Sequence, residues 1–265
     1  MMLNVAIITS SESRSAAHHL PILLEEAEQY RISTVLINTA GSPKTVRWLR
    51  RKLKKVWRIG PLGALIGWRM RKWYTVDMDA LLQSSSLVET CTSKNDIHLH
   101  RIEGLNSTAM KDALSSSGAN VAISLGNGFI APSLFSIPRF GMLNIHHEEL
   151  PTFRNAQSVI WPLHEGRNQT GYTVHEITRE IDGGRILKSE SLPIQFKDTL
   201  GQTVSHSCAA TWNAAAQGLS EVLNHFSEHR QHAEEQGPGG HFTTPTFRQY
   251  LRIHQEWKRL KSTTP

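Results

Sequence analysis

Two short apolar runs with a helix-length segment between them constrain this chain more than any single motif. Leu3 to Thr9 and Ile32 to Asn38 have strand length and are rich in branched side chains. Between them the polar residues Ser10 to Ser15 suit a helix start, and His19, Leu20, Leu23, Leu24 and Ala27 recur at helical spacing to about Tyr30. Pro21 requires that helix to start late or to bend. Strand, helix and strand in this order read as a βαβ unit, and so as a parallel sheet with a right-handed crossover. The turn after the first strand contains no glycine, so no Gly-rich phosphate cradle forms there and a Rossmann-type dinucleotide site is not expected.

The α/β pattern continues. Ile97 to Ile102 alternates as a strand, Asn106 or Ser107 caps a short helix to about Ser117, and Val121 to Leu125 is a short buried strand. Gly126-Asn127-Gly128 ends that strand with permissive turns. Ligands in an open α/β sheet lie beyond the carboxyl ends of the strands, which places this loop beside a pocket. His98 and His100 have no third ligand nearby, and no metal site is expected. At 265 residues the chain has length for one large domain, or one domain and an appendage.

The net charge of +6 misdescribes the chain as an average. Lys44 to Lys72 holds 11 Lys and Arg and no acid, so the other 18 basic residues face 23 acids and the remainder is near −5. Within that segment Trp48, Leu49, Leu53, Val56 and Trp57 fall on one helical stripe with cations around it, and Gly60-Pro61 breaks the helix. Three readings stay open: a solvated helix packed by its tryptophans, contact with an anionic membrane surface, and a nucleotide-phosphate or oligomer contact.

Chemistry concentrates between Leu143 and Gly184. Met142 to His146 reads as the end of a strand, and alternation puts Asn144 and His146 on one face. Asp182 precedes Gly183-Gly184, a pair that lets the backbone turn tightly near a ligand. An amide, an imidazole and a carboxylate can together manage addition to a carbonyl, by stabilising the oxyanion and moving protons. The residues alone also fit a hydrogen-bonded interior pair with no chemistry. Tyr172 to Ile177 is the next strand and carries His175. Ile186 to Ile194 extends the sheet antiparallel at its edge, and a long helix runs from Asp198 or Thr199 to about Phe226.

The run from Gly126 to Leu187 resembles the core of the folate-dependent formyltransferases, most nearly the sugar-nucleotide N-formyltransferases. The resemblance rests on Gly128-Phe129-Ile130-Ala131-Pro132, Ile137-Pro138-Arg139-Phe140-Gly141, Asn144-Ile145-His146, Leu150-Pro151 with Arg154, Thr170 to His175, and Ile181-Asp182-Gly183-Gly184-Arg185-Ile186. The chain departs from it at Asn155, where the family usually has Gly. The resemblance implies an α/β fold: a Rossmann-like, mostly parallel sheet as formyltransferase core over 1–233, with a basic helical insertion at about 44–74. A linker and short C-terminal appendage, 234–265, would follow. It implies 10-formyltetrahydrofolate as formyl donor, with Asn144, His146 and Asp182 catalytic and His175 and Thr173 in support. Gly128, Phe129, Ile130 and Ala131 would hold the donor, partly through backbone, opposite Arg179, Glu180 and Ile181. Arg154, Gln157 and Ser158 would face the acceptor.

Within that family the acceptor expected is a dTDP- or GDP-linked amino sugar of the 4-amino-4,6-dideoxyhexose type, as in surface-polysaccharide or O-antigen synthesis. A methionyl-tRNA acceptor would go with a substantial C-terminal domain beyond the roughly 30 residues after the linker, and a hydrolase with an N-terminal regulatory domain, so neither is the expected reading. The alternatives are phosphoribosylglycinamide as acceptor, another folate-dependent transferase or hydrolase, and a non-catalytic basic module for membrane or nucleic acid. Nucleic acid is not the expected partner; a homodimer and peripheral membrane contact through 44–72 are the other partner expectations. The first residues read as a strand and not as a signal peptide, which with Cys91 and Cys208 outside any ligand motif gives a cytoplasmic expectation.

Overall fold

The computed structural model describes residues 2–10, 12, 14–40, 46–82, 86–92 and 96–263. Ser11 and Ser13, in the expected cap, lie outside the described residues, as do the side chains of Trp48 and Leu49. The chain runs β1 (Leu3–Thr9), α1 (Ser15–Glu25), β2 (Tyr30–Asn38), α2 (Val46–Arg71), α3 (Val76–Asp79), α4 (Leu87–Thr92), β3 (His98–Ile102), α5 (Thr108–Ser116), β4 (Val121–Leu125) and α6 (Pro132–Phe135). It continues with β5 (Met142–His146), β6 (Phe153–Arg154), α7 (Ile160–His164), β7 (Gln169–Glu176), β8 (Ile186–Pro193), α8 (Leu200–Asn224), α9 (Phe226–Gln231), β9 (Gly240–His241) and α10 (Phe247–Thr263).

Among the described residues the main sheet has seven strands, in the order β3-β2-β1-β4-β5-β7-β8. The first five are mutually parallel, while β7 and β8 are antiparallel. This is the mostly parallel α/β sheet expected, with its antiparallel edge. The apolar residues of β1 and β4 are buried throughout because helices cover both faces. Ala16, Leu20 and Leu23 of α1 and Leu219, Val222 and Leu223 of α8 cover one face; Met110 and Leu114 of α5 and Leu134 of α6 cover the other.

Local rules explain the element ends. Helix α1 stops at Glu25, short of the expected Tyr30, because Tyr30 already belongs to β2: its hydroxyl is tied to the Leu23 carbonyl and lies 2.9 Å from Ser220 Oγ. Ser107 caps α5 by accepting from Met110 N–H. Thr199 and Gln202 form a capping box on α8. In α2 the kink falls at Gly60, with φ +75° and ψ 164°, where Pro61 removes a donor.

The C-terminal segment is packed into the body. Ile253, Trp257 and Leu260 of α10 are buried with Trp161, Leu163, Leu200 and Val204, and Trp257 Nε1–H donates to Thr203 Oγ1 at 2.9 Å. Upstream, β9 pairs with β6 in parallel. Phe242 sits between Phe153 and Trp161, and Trp161 Nε1–H donates to the Thr243 carbonyl at 3.0 Å.

Candidate active site

Strand register assembles the site. In the antiparallel pairing of β5 with β7, Asn144 lies opposite His175 and His146 opposite Thr173. His175 Nδ1 lies 2.9 Å from the Glu176 carbonyl, which can only accept, so Nδ1 carries the proton and Nε2 of the neutral ring is an acceptor. Asn144 Nδ2, 3.2 Å away, therefore donates to it. That orientation leaves the second Nδ2 hydrogen for another acceptor. Burial holds the His175 pKa down to about 4 against the opposing pull of Asp182, so the ring stays neutral near pH 7.

His146 is fixed by the same logic. Its Nε2 lies 2.7 Å from the Phe153 carbonyl and donates to it, leaving Nδ1 to face Asp182 Oδ2 at 3.6 Å. Asp182 Oδ1 is 3.8 Å from His175 Nε2. One carboxylate thus sits between two imidazoles, with 15% of its side chain exposed. The amide, both imidazoles and the carboxylate converge from two strands and one turn.

Backbone geometry delivers the carboxylate. Asp182 has φ +51°, a left-handed conformation that Asp tolerates better than most residues. A Cβ on Gly184 would run into the Glu176 carbonyl, so only glycine lets this turn close against β7. Asn155 N–H donates to Asp182 Oδ2 at 2.8 Å. Asn155 itself has φ +52°, which accounts for its standing where glycine is usual. Its Nδ2 donates to the Phe242 carbonyl at 2.9 Å, so the departure from the family pattern also ties the C-terminal segment to the site.

A cleft of about 360 Å³ opens in front of this group. Gly128, Phe129, Ile130, Arg179, Glu180 and Ile181 line it together with Asn144, His175 and Asp182. Phe129 and Ile181 are 72% and 59% exposed, two apolar side chains with little of this chain covering them, whereas Ile130 turns inward. Ala131 does not line the cleft. Its N–H donates to Asn106 Oδ1 at 2.7 Å, and Asn106 Nδ2 donates to the Phe129 carbonyl at 2.9 Å. Those two backbone groups are engaged within the chain, and other groups would have to recognise a donor's polar edge.

The acceptor-side residues are placed differently. Arg154 is buried and bound to Glu180 Oε1 at 2.6 Å, to Gln236 Oε1 and to the Gly237 carbonyl. It clamps the C-terminal segment to the Asp182 turn. Gln157 and Ser158 lie outside the cleft lining, and the Ser158 carbonyl accepts from the Tyr74 hydroxyl. Thr173 is buried, accepting from Leu150 N–H and donating to the Glu148 carbonyl, so it holds the loop that carries Phe153.

Asn106, Asn127 and Asn155 build the site in ways the sequence does not spell out: it marks them only as a candidate helix cap, a turn residue and a departure from the family pattern. Asn127 Nδ2 reaches the Ile8 carbonyl at 2.7 Å and Ser124 Oγ at 3.0 Å, docking the Gly126 to Gly128 turn onto β1. The available signal was the enrichment of Asn in turns and at positive φ.

Glu148 carries the adjoining loop. Fully buried, it accepts from Val159 N–H at 2.6 Å and from Thr170 Oγ1 at 2.8 Å, holding Val159 at φ +70°. That conformation costs a β-branched residue on the order of 1–3 kcal/mol. Burial pushes the Glu148 pKa up from 4.5 to about 8. The folded state then binds the proton more tightly than the unfolded state, so stability is full below pH 4.5 and falls as pH rises towards 8. Glu148→Gln, which keeps an acceptor and removes the charge, is expected to flatten this fall by an amount on the order of 4 kcal/mol. Thermal unfolding of both proteins across that pH range measures it; parallel curves would contradict the assignment.

Among the described residues no group of His, Cys, Asp and Glu is arranged to hold a metal ion. Comparison with known proteins gives a family match: the formyl transferase model covers residues 76–222. A methionyl-tRNA formyltransferase of Deinococcus radiodurans is 37% identical over 118 residues, 44% of this chain and 36% of that protein. The chain therefore matches about a third of the length of that curated relative. Glycinamide ribonucleotide transformylase 1 from Symbiobacterium toebii has a similar fold, with a TM-score of 0.58 at 15% identity over 89% of this chain and 94% of that one. The N-formyltransferase from Helicobacter canadensis, solved in complex with folinic acid and dTDP-3-aminofucose, gives 0.54 at 14% identity over 96% and 79%.

Proposed function

Because this chain belongs to the formyl transferase family, we propose that it transfers a formyl group from 10-formyltetrahydrofolate to the amine of a nucleotide-linked amino sugar. The observation that carries formyl transfer is the convergence of Asn144, His175 and Asp182 at one wall of the cleft, with His146 outside the lining and facing Asp182 at 3.6 Å. The donor supplies an activated formyl carbonyl. Phe129 and Ile181 offer uncovered apolar surface on which its flat ring can pack, with the Arg179 to Asp182 turn beside it.

The chain's own groups account for the proton and charge movements. Asn144, oriented by His175, directs its remaining Nδ2 hydrogen at the carbonyl oxygen as negative charge develops there. Asp182 accepts the proton lost by the attacking amine, and Asn155 N–H keeps the carboxylate aimed. His146 presents Nδ1 to Asp182 and shares that proton, so that it can be returned to the departing donor nitrogen.

For the acceptor, support comes from the C-terminal segment. Arg154 and Asn155 bind it directly behind the catalytic turn. The likeness to the Helicobacter canadensis enzyme, solved with a dTDP-amino sugar, extends over 96% of this chain. A cytoplasmic site of action goes with this reading, since both cysteines are free and buried.

The test is an acceptor panel with 10-formyltetrahydrofolate, read by mass spectrometry for gain of one formyl group. Nucleotide-linked amino sugars are expected to react. Reaction only with phosphoribosylglycinamide or methionyl-tRNA would replace the acceptor assignment, and release of formate without any acceptor would identify a hydrolase.

A further inference from the structure

Helix α2 has two faces that do opposite things. Its second half is held to the body by Ile59 and Met70, both buried, and by Gly63 and Gly67, which approach Thr244, Pro245 and Phe247 closely. A Cβ on Gly67 would lie 2.7 Å from Thr244 Cγ2, so the C-terminal segment fits against this face. The other side has no cover among the described residues. Trp57 is 88% and Trp68 72% exposed, and Leu53, Val56, Leu62 and Leu65 are exposed with them. Burying a helix face normally removes such side chains from water; here these two tryptophans, three leucines and one valine of α2 face outward.

Their surroundings identify the occupant. Lys44 to Lys72 contains 11 Lys and Arg and no acid, in a chain otherwise near −5. Arg69, Arg71 and Lys72 edge an open groove of about 820 Å³ floored by Leu62, Leu65 and Phe247, and the single acid in its lining, Asp77, lies 3.5 Å from Lys72 Nζ. A protein partner with an apolar face would match the leucines and tryptophans but gain little from a rim in which cations outnumber the one acid. A second copy of the chain would bring two such basic segments together. A surface with an apolar interior beneath fixed negative charge matches both features, and interfacial Trp with flanking Lys and Arg is the residue set that suits such a boundary.

From this pairing of an exposed Trp and Leu face with an acid-free, strongly cationic helical segment, we infer that α2 docks the protein on the surface of an anionic phospholipid bilayer. It would lie in the headgroup plane. No helix among the described residues is long and apolar enough to cross. The inference is independent of the acceptor assigned above.

Sedimentation of the full chain with vesicles tests it, comparing phosphatidylcholine alone with phosphatidylcholine containing phosphatidylglycerol. Binding is expected only to the anionic vesicles, falling as salt rises, with a blue shift of Trp emission. Trp57→Ala with Trp68→Ala is expected to weaken partition roughly ten-fold or more for each indole removed. Arg69→Gln with Arg71→Gln should weaken it roughly five-fold for each charge. Circular dichroism and thermal unfolding report that these surface variants remain folded. Absence of binding at low salt, or binding indifferent to both pairs of substitutions, would overturn the inference. So would a dimer that dissociates on Trp57→Ala with Trp68→Ala while the protein ignores lipid.

Discussion

Asp182→Asn is expected to lower kcat for formyl transfer by roughly 10²- to 10⁴-fold while leaving the fold intact. Asparagine is the informative replacement because residue 182 has φ +51°, which Asn adopts readily and Ala does not. The Asn carbonyl oxygen can still accept from Asn155 N–H, so the turn retains its anchor. What disappears is the negative charge between His146 and His175 and the capacity to take a proton. The effect should fall on kcat more than on the acceptor KM, since the carboxylate acts on the reacting amine. Asp182→Ala would add backbone strain to the chemical loss and obscure which was measured. Near-normal turnover by a folded Asp182→Asn protein would remove the carboxylate from the mechanism.

The second large effect is expected at Asn144. Loss of an oxyanion donor costs about 10²- to 10³-fold in turnover, and Asn144→Ala should show that loss. It also leaves the buried Nε2 of His175 without its donor, a stability cost of about 1–3 kcal/mol. Asn144→Asp separates the two consequences. It presents a carboxylate oxygen to the His175 lone pair, an arrangement relieved when the imidazole takes a second proton. The His175 pKa, about 4 in the native protein, should rise in that variant, as followed by NMR titration. An unchanged titration would mean that the amide does not face the ring.

Elsewhere the residues differ in how openly the chain displays them. Asn144 and His146 share a face because strand side chains alternate, and the five residues of β5 suffice to show it. Gly183-Gly184 marks the turn after Asp182, since those glycines mean close backbone approach wherever they occur. Arg154 is different. Its position after Leu150-Pro151 suggests a cation free for a ligand, yet Glu180, Gln236 and Gly237 occupy it, and Gln236 lies 82 residues away. No local pattern carries that information. The expected apolar stripe of α2 is similar: periodicity places Leu53, Val56 and Trp57 together but cannot say whether anything packs on them, and in the fold they face outward.

The sequence by itself determined the βαβ beginning, the parallel sheet and the presence of an amide, an imidazole and a carboxylate in one stretch, because strand alternation and glycine turns are short-range properties of the backbone. Only the tertiary structure decided that His175 lies opposite Asn144, that Asn155 aims Asp182 while holding Phe242, and that the C-terminal segment closes the back of the site. Those contacts depend on strand register and on segments far apart in the chain coming together, which is settled by burial over the whole molecule and leaves no mark in local spacing.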